Sequence, residues 1–316
     1  MPTYDTSISR DVSADPLVPT PVAQEIIKEM PKSSVILNNS RRVLMASQTL
    51  RQPVLSVLPS AYWVTGDTGL KQTGTADWAN VTLTAEELAV LIPIPLAYLD
   101  DSQVPIWDEV APLVVEAIGQ KVDAAALFGT DAPSSFPTSI YSGCLAAGNV
   151  VVKGAGSTEL SQNVAYMGQL LAEDGFNVNG FAAAPGFSWQ LVQLRGDDGP
   201  IYQPALQDAV GSRLYGFPIQ EVANGSWDAG EALLIAGDWS KSIVGVRQDI
   251  TFTRHTDGIV SDAQGAVVYN AMQQDSVIYR AVFRVGYAIA NPETRTNATD
   301  GTRYPFGVVQ ATTANS

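Results

Sequence analysis

One stretch constrains this chain more than any other. Trp107, Val110, Val114, Ile118, Val122 and Ala125 recur at spacings of three or four, while Glu109, Glu116, Gln120 and Asp123 fall on the other side. That is the pattern of an amphipathic helix with one apolar face. Asp100-Asp101-Ser102 supplies a cap and negative charge at the positive end of the helix dipole, and Gly129 supplies the stop. The spacing predicts a spine helix over 102–128, roughly 38 Å long. Pro112 lies inside it, removes one backbone bond and predicts a kink in the first third. A rod of this length is long for a compact domain and suits a spine around which other elements are laid.

The segments around the spine do not all look able to stand alone. Residues 1–33 are polar and punctuated by Pro2, Pro16, Pro19, Pro21 and Pro31; only 22–30 has helical spacing. This reads as an extended arm, which has no core of its own and must lie on something else. Residues 35–65 and 78–96 look like strands, with the Gly- and Thr-rich stretch 66–77 between them. A long hairpin with a flexible tip is predicted, and an isolated two-stranded ribbon is at best marginally stable in water. Residues 131–245 alternate short helical and strand patterns, as in a mixed α/β domain. Residues 247–256 and 276–290 are again strand-like, although Ser276–Arg284 has spacing equally suited to a helix. The last 26 residues are polar, with Tyr304, Phe306, Val308 and Val309 as candidate anchors.

Composition narrows the chemistry. Only 16% of the 316 residues are charged, while 46% are hydrophobic, a balance that buries a sizeable core and excludes a disordered chain. So low a charge fits a subunit whose surface ends up against neighbours. The net charge of −14 leaves no basic stripe for gripping DNA phosphates, the longest basic run being Arg41-Arg42. No basic region followed by an apolar run opens the chain, and no run of eighteen apolar residues occurs, so neither a signal peptide nor a membrane span is expected. One Cys, Cys144, excludes an internal disulfide, and one His, His255, leaves little room for a metal site or a catalytic triad. The pairs Glu86-Glu87, Asp100-Asp101 and Asp197-Asp198 point apart and read as caps and turns. Gly154-Ala155-Gly156-Ser157 lacks the third glycine of a dinucleotide loop and the lysine of a P-loop. No catalytic, cofactor or metal residue is nominated, and a structural role is the reading that remains.

The order of motifs resembles that of the major capsid proteins of tailed double-stranded-DNA phages, whose fold encapsulins share. Leu91-Ile92-Pro93-Ile94-Pro95, then Leu99-Asp100-Asp101-Ser102, resembles the family's lead-in to its spine helix, and Asp123 through Gly129-Thr130 resembles the exit. Pro185–Leu194, Gly196–Pro200 with Tyr202, Leu214–Ile219, Ala236–Ser240, Ile243–Arg247, Arg280, Arg284 and Gly286–Pro292 follow in the family's order.

The resemblance implies an α+β phage major capsid fold. Its parts would be an N-terminal arm (1–33), an extended β-hairpin loop with flanking strands (34–100, the hairpin itself at roughly 45–97), a peripheral domain (101–130 plus 246–291), an axial domain (131–245) and a polar C-terminal tail (292–316). The implied function is self-assembly, through pentamers and hexamers, into an icosahedral shell enclosing the double-stranded DNA genome without sequence-specific binding. The implied setting is the virion, assembled in the host cytoplasm, with no enzyme activity, cofactor or membrane. Implied partners are copies of itself, a separate scaffolding protein, a portal and an optional decoration protein. Trp63, Lys71, Trp78, Arg41 and Arg42 are the expected inter-subunit contacts. Some family members weld their shells by Lys–Asn isopeptide bonds. Lys71 and Asn270 could be cast in those roles, but no Glu occurs between 232 and 292, so no crosslink is expected. An encapsulin-type compartment around a protein cargo is the alternative shell, and a soluble hydrolase using His255 the alternative of another class.

Overall fold

The computed structural model describes residues 33–64, 69–101, 106–152, 159–192, 195–196, 199–200 and 213–311. Apart from Ser33, the arm predicted at 1–33 lies outside them, as do Ser102, the Gly154–Ser157 loop and Asp197-Asp198. The chain begins with a short helix α1 (Val35–Asn39) and strand β1 (Arg41–Leu44). A ribbon of β2 (Thr49–Val57) and β3 (Asp77–Thr84) follows, then β4 (Glu86–Pro95), α2 (Leu96–Asp101) and the spine α3 (Ile106–Phe128). Next come α4 (Ile140–Ala147), β5 (Val150–Val152), α5 (Glu159–Glu173), β6 (Gly180–Ala183), α6 (Phe187–Val192) and the short strands β7 (Arg195–Gly196), β8 (Gly199–Pro200) and β9 (Arg213–Leu214). After β10 (Phe217–Glu221) and β11 (Ala232–Gly237), two long strands, β12 (Ser242–His255) and β15 (Ser276–Ile289), flank a hairpin of β13 (Ile259–Ser261) and β14 (Val267–Asn270). The last strand is β16 (Phe306–Gln310).

Two sheets carry the fold. A four-stranded sheet has the order β1-β12-β15-β4, and a six-stranded sheet the order β5-β16-β11-β6-β10-β9. Along β11 every residue of Ala-Leu-Leu-Ile-Ala-Gly is buried, as expected of a strand covered on both faces. Side chains alternate across the strand. Leu234 and Ala236 join Leu160, Val164, Met167 and Leu171 of α5, whereas Ile235 joins the cluster of Ile140 and Cys144 of α4. That second cluster also contains Val114, Ile118 and Val122 of α3 and Phe283, Val285 and Tyr287 of β15. The spine therefore shares one core with both sheets. Val114, Ile118 and Val122 are buried, and the half-buried Val110 packs against the same core. Trp107 stacks on Tyr279 (centroids 4.0 Å, 11°) and meets Phe252 edge-on.

Several expectations are corrected. Helix α2 is described to Asp101 and the spine from Ile106; the predicted start at 102 lies outside the described residues. The exit is as predicted: Gly129 has φ 77°, and the Thr130 amide reaches back to the Ala124 carbonyl. Residues 35–39 form a helix rather than a strand, because Ser34 caps it by accepting the Leu37 amide. The long hairpin is shorter than read: β2 pairs with β3, while β1 and β4 leave the loop and join the four-stranded sheet. Ser276–Arg284 is strand, in line with the strand reading of 276–290 and against its helical alternative. The 292–316 stretch is not merely a polar tail, since β16 lies between β5 and β11. Its lead-in is held by the buried Asp174 carboxylate, which accepts from Asn149 Nδ2 (2.8 Å), Asn297 Nδ2 (2.8 Å) and the Tyr304 amide (3.2 Å).

Candidate functional site

The β2–β3 ribbon pairs Leu50 with Leu83, Gln52 with Val81 and Val54 with Ala79. At its root Leu50, Val54, Val81 and Leu83 pack on Met45, Ala85, Ile243, Ala288 and Ala290. Room for this contact is made by a cross-strand glycine pair, Gly245 opposite Gly286. A Cβ at Gly245 would strike the Met45 sulfur, and one at Gly286 would lie 2.8 Å from the Thr84 carbonyl oxygen. Backbone at that distance cannot swing aside as a flexible side chain could. Gly286→Ala is expected to destabilise the subunit by about 2–3 kcal/mol, as overpacking does, read as a lower denaturant midpoint at unchanged slope.

Beyond its root the ribbon loses that support. The register slips between Leu55 and Val57, leaving Ser56 as a bulge. At this bend Glu293 touches the ribbon twice. Its amide donates to the Leu55 carbonyl (3.1 Å), and the Leu58 amide donates to its carboxylate Oε2 (2.9 Å). Further out, the Tyr62 hydroxyl donates to the Gln72 carbonyl (2.8 Å) and ties the two sides of the tip. Large apolar side chains stand in solvent: on the tip Trp63 is 98% exposed and Leu70 90%, and Trp78, paired with Leu55 beside the bulge, is 64% exposed. Lys71 is exposed on the same tip. The ribbon thus carries Trp63, Lys71 and Trp78, whereas Arg41 and Arg42 lie apart from it on β1. Arg41 is exposed, but Arg42 has an internal task, its Nε and Nη2 donating to the Leu37 carbonyl at the end of α1 (3.0 and 2.9 Å). Glu293 carries no signal in the sequence that could have singled it out.

A second junction lies where the described chain begins. Asp123, predicted on the polar side of the spine, is fully buried. Its carboxylate accepts from the Ser34 hydroxyl (2.6 Å), the Val35 and Ile36 amides (3.1 and 3.0 Å) and Asn224 Nδ2 (2.7 Å). Gly119, one turn earlier, lets Ser34 approach, since a Cβ there would lie 3.1 Å from the Ser34 Cβ. Burial raises the Asp123 pKa, and the four donors work against that rise. At the other end of α1, Ser40 Oγ and Ser242 Oγ are 2.6 Å apart, and Ser242 donates to the Tyr287 hydroxyl (3.2 Å). Helix α1 is held to the body at both ends.

Elsewhere the chemistry is sparse. Among the described residues no cluster of three His, Cys, Asp or Glu side chains could hold a metal ion. Cys144 is buried and its thiol pKa is pushed up by desolvation, which makes it inert. His255 Nε2 lies 3.1 Å from the Thr253 hydroxyl, two residues away on the same strand. The Asn270 side-chain oxygen accepts the Met272 and Gln273 amides in a turn after β14. Glu87 pairs with Arg284 (2.7 Å) across β4 and β15.

A two-sheet body around a spine helix, with a ribbon projecting exposed tryptophans, is the form of a subunit made to be completed by others. Comparison with known proteins agrees. The family model described as the phage capsid family matches residues 14–294. The curated major capsid protein of Staphylococcus phage 80alpha is 26% identical over 274 residues, covering 86% of this chain and 80% of that protein. A solved structure from Microbacterium phage Oxtober96 is 33% identical with a TM-score of 0.83, covering 93% of this chain and 96% of its own. One from Mycobacterium phage Adephagia is 29% identical with a TM-score of 0.82, covering 96% and 97%. The chain belongs to the phage capsid family. It is a major capsid protein, a structural subunit that associates with copies of itself to form the shell of a phage virion.

Proposed function

We propose that the subunit assembles as pentamers and hexamers into an icosahedral shell around double-stranded DNA. The observation that carries the mode of assembly is the ribbon: packed on the body at its root, bulged at Ser56, and carrying exposed Trp78 beside the bulge and Trp63 and Leu70 on its tip. Aromatic side chains held out in water are the usual anchors of protein interfaces, so the ribbon lies on the neighbouring subunit. In this reading the four-stranded sheet and α3 form the peripheral domain. The six-stranded sheet, including β16, forms the axial domain facing the capsomer axes, and residues 1–33 add a further tie between subunits. The role is structural rather than enzymatic. A scaffolding protein, a portal and an optional decoration protein complete the particle, and assembly takes place in the host cytoplasm. The acidic charge of −14 supports a DNA cargo that is enclosed rather than gripped.

The test is assembly of full-length Trp63→Ser and Trp78→Ser variants, followed by light scattering and negative-stain electron microscopy. Loss of a buried interface aromatic costs about 2–4 kcal/mol per contact. Each substitution is therefore expected to raise the concentration needed for shell formation by about 30-fold or more, with the subunit's own unfolding midpoint unchanged. Shells forming at the wild-type concentration in both variants would refute the ribbon contact.

A further inference from the structure

We infer that Glu293 is a positioning residue for shell assembly: it clamps the ribbon at its bend and sets the angle at which the tip leaves the body. The inference rests on the reading of the ribbon as an inter-subunit arm. Two structural facts meet at this point. The apolar packing of the ribbon ends near Val54, and the bulge at Ser56 follows at once. A bulge bends a strand and increases its twist, so an unpacked ribbon with a bulge at its base would swing. Glu293 holds both sides of that bulge, with its amide on Leu55 and its carboxylate on Leu58. Leu58 supplies the last backbone donor before Pro59, which has none.

The clamp is itself tied to the six-stranded body. Just before it, Asn291 donates through Nδ2 to the Arg303 carbonyl (2.8 Å) and Asp300 Oδ1 (3.0 Å), and it accepts from the buried Arg303 guanidinium. Just after it, the Thr294 hydroxyl donates to the Asp174 carbonyl (2.6 Å). Pro292 fixes the backbone between these anchors. The angle of the ribbon therefore follows the six-stranded body, although the ribbon's root packs on the four-stranded sheet. A shift of one sheet against the other would be transmitted to the tip through Glu293.

The experiment compares full-length Glu293→Ala, Glu293→Gln and Trp63→Ser. Hydrogen exchange is measured at the Leu58 amide in the unassembled subunit, and particle size by electron microscopy. Glu293→Ala is expected to speed Leu58 exchange about tenfold and to give shells of mixed size and curvature. Glu293→Gln keeps a carbonyl oxygen for the same amide and is expected to restore both. Unchanged Leu58 exchange in Glu293→Ala would overturn the clamp. Uniform shells from Glu293→Ala, with assembly blocked in Trp63→Ser, would overturn the positioning role and leave the ribbon contact standing. Uniform shells from both variants would overturn the two together.

Discussion

A chain ending at Tyr304 is expected to accumulate only as aggregate, without a cooperative unfolding transition. The residues removed include β16, an interior strand of the six-stranded sheet that lies parallel to β5 and antiparallel to β11. Phe306, Val308 and Val309 are fully buried. At about 1.5–3 kcal/mol for each such side chain, their loss amounts to roughly 5–9 kcal/mol, before the two orphaned strand edges are considered. That is comparable with the whole stability of a typical domain, about 5–15 kcal/mol. Phe306→Ala isolates one part of the effect. The ring meets Trp239 edge-on at 5.2 Å and lies where a Cβ on Gly237 would fall, so the site is tightly filled. A loss of about 3–5 kcal/mol is expected, read from the denaturant midpoint. A soluble truncated chain that unfolds cooperatively would show that β16 is dispensable.

Asp123→Ala is expected to destabilise the subunit by about 3–5 kcal/mol, although it removes a buried charge with no cation bonded to it among the described residues. The cost arises from what is left behind. The Ser34 hydroxyl, two backbone amides and the Asn224 amide group would lose their acceptor in a dry site. Asp123→Asn keeps the volume and one acceptor but points an N–H₂ group at existing donors, so a smaller loss is expected. The local consequence is release of α1, seen as faster hydrogen exchange at Val35 and Ile36. The pH dependence has an unusual sign for a carboxylate. Burial places the folded pKa above the ordinary 3.8. The associated stability is therefore fully present below the unfolded value and is lost as pH rises through the raised one. Mild acid should thus strengthen this junction relative to Asp123→Ala, and a wild-type advantage that shrank on acidification would contradict that.

At both places the tertiary structure departs from the local pattern of the sequence. Asp123 falls on the polar side of the helical pattern, and the pattern is right about α3 as a whole: Val114, Ile118 and Val122 are core. Periodicity assigns a face to each residue, but it cannot show that α1 will arrive on the polar side and bring its unpaired amides to a carboxylate. Phe306, Val308 and Val309 were visible as apolar residues in a polar stretch. Five residues can form an interior strand only when β5 and β11 are already placed beside them. Trp63 and Trp78 are named from the sequence as contacts, but that they stand exposed is decided by the fold.

By itself, the sequence determined the spine helix and its glycine stop, the existence of the ribbon and the capsid resemblance. These rest on spacings of two or three to four residues and on motif order, which are local properties of the chain. Only the tertiary structure decided the burial of Asp123, the interior place of β16 and the clamp at Glu293. Their bonds join residues far apart in sequence, Ser34 to Asp123 across 89 positions and Leu58 to Glu293 across 235. No local pattern encodes such a pairing, because a buried polar group takes whichever partner the packing of other elements brings within reach.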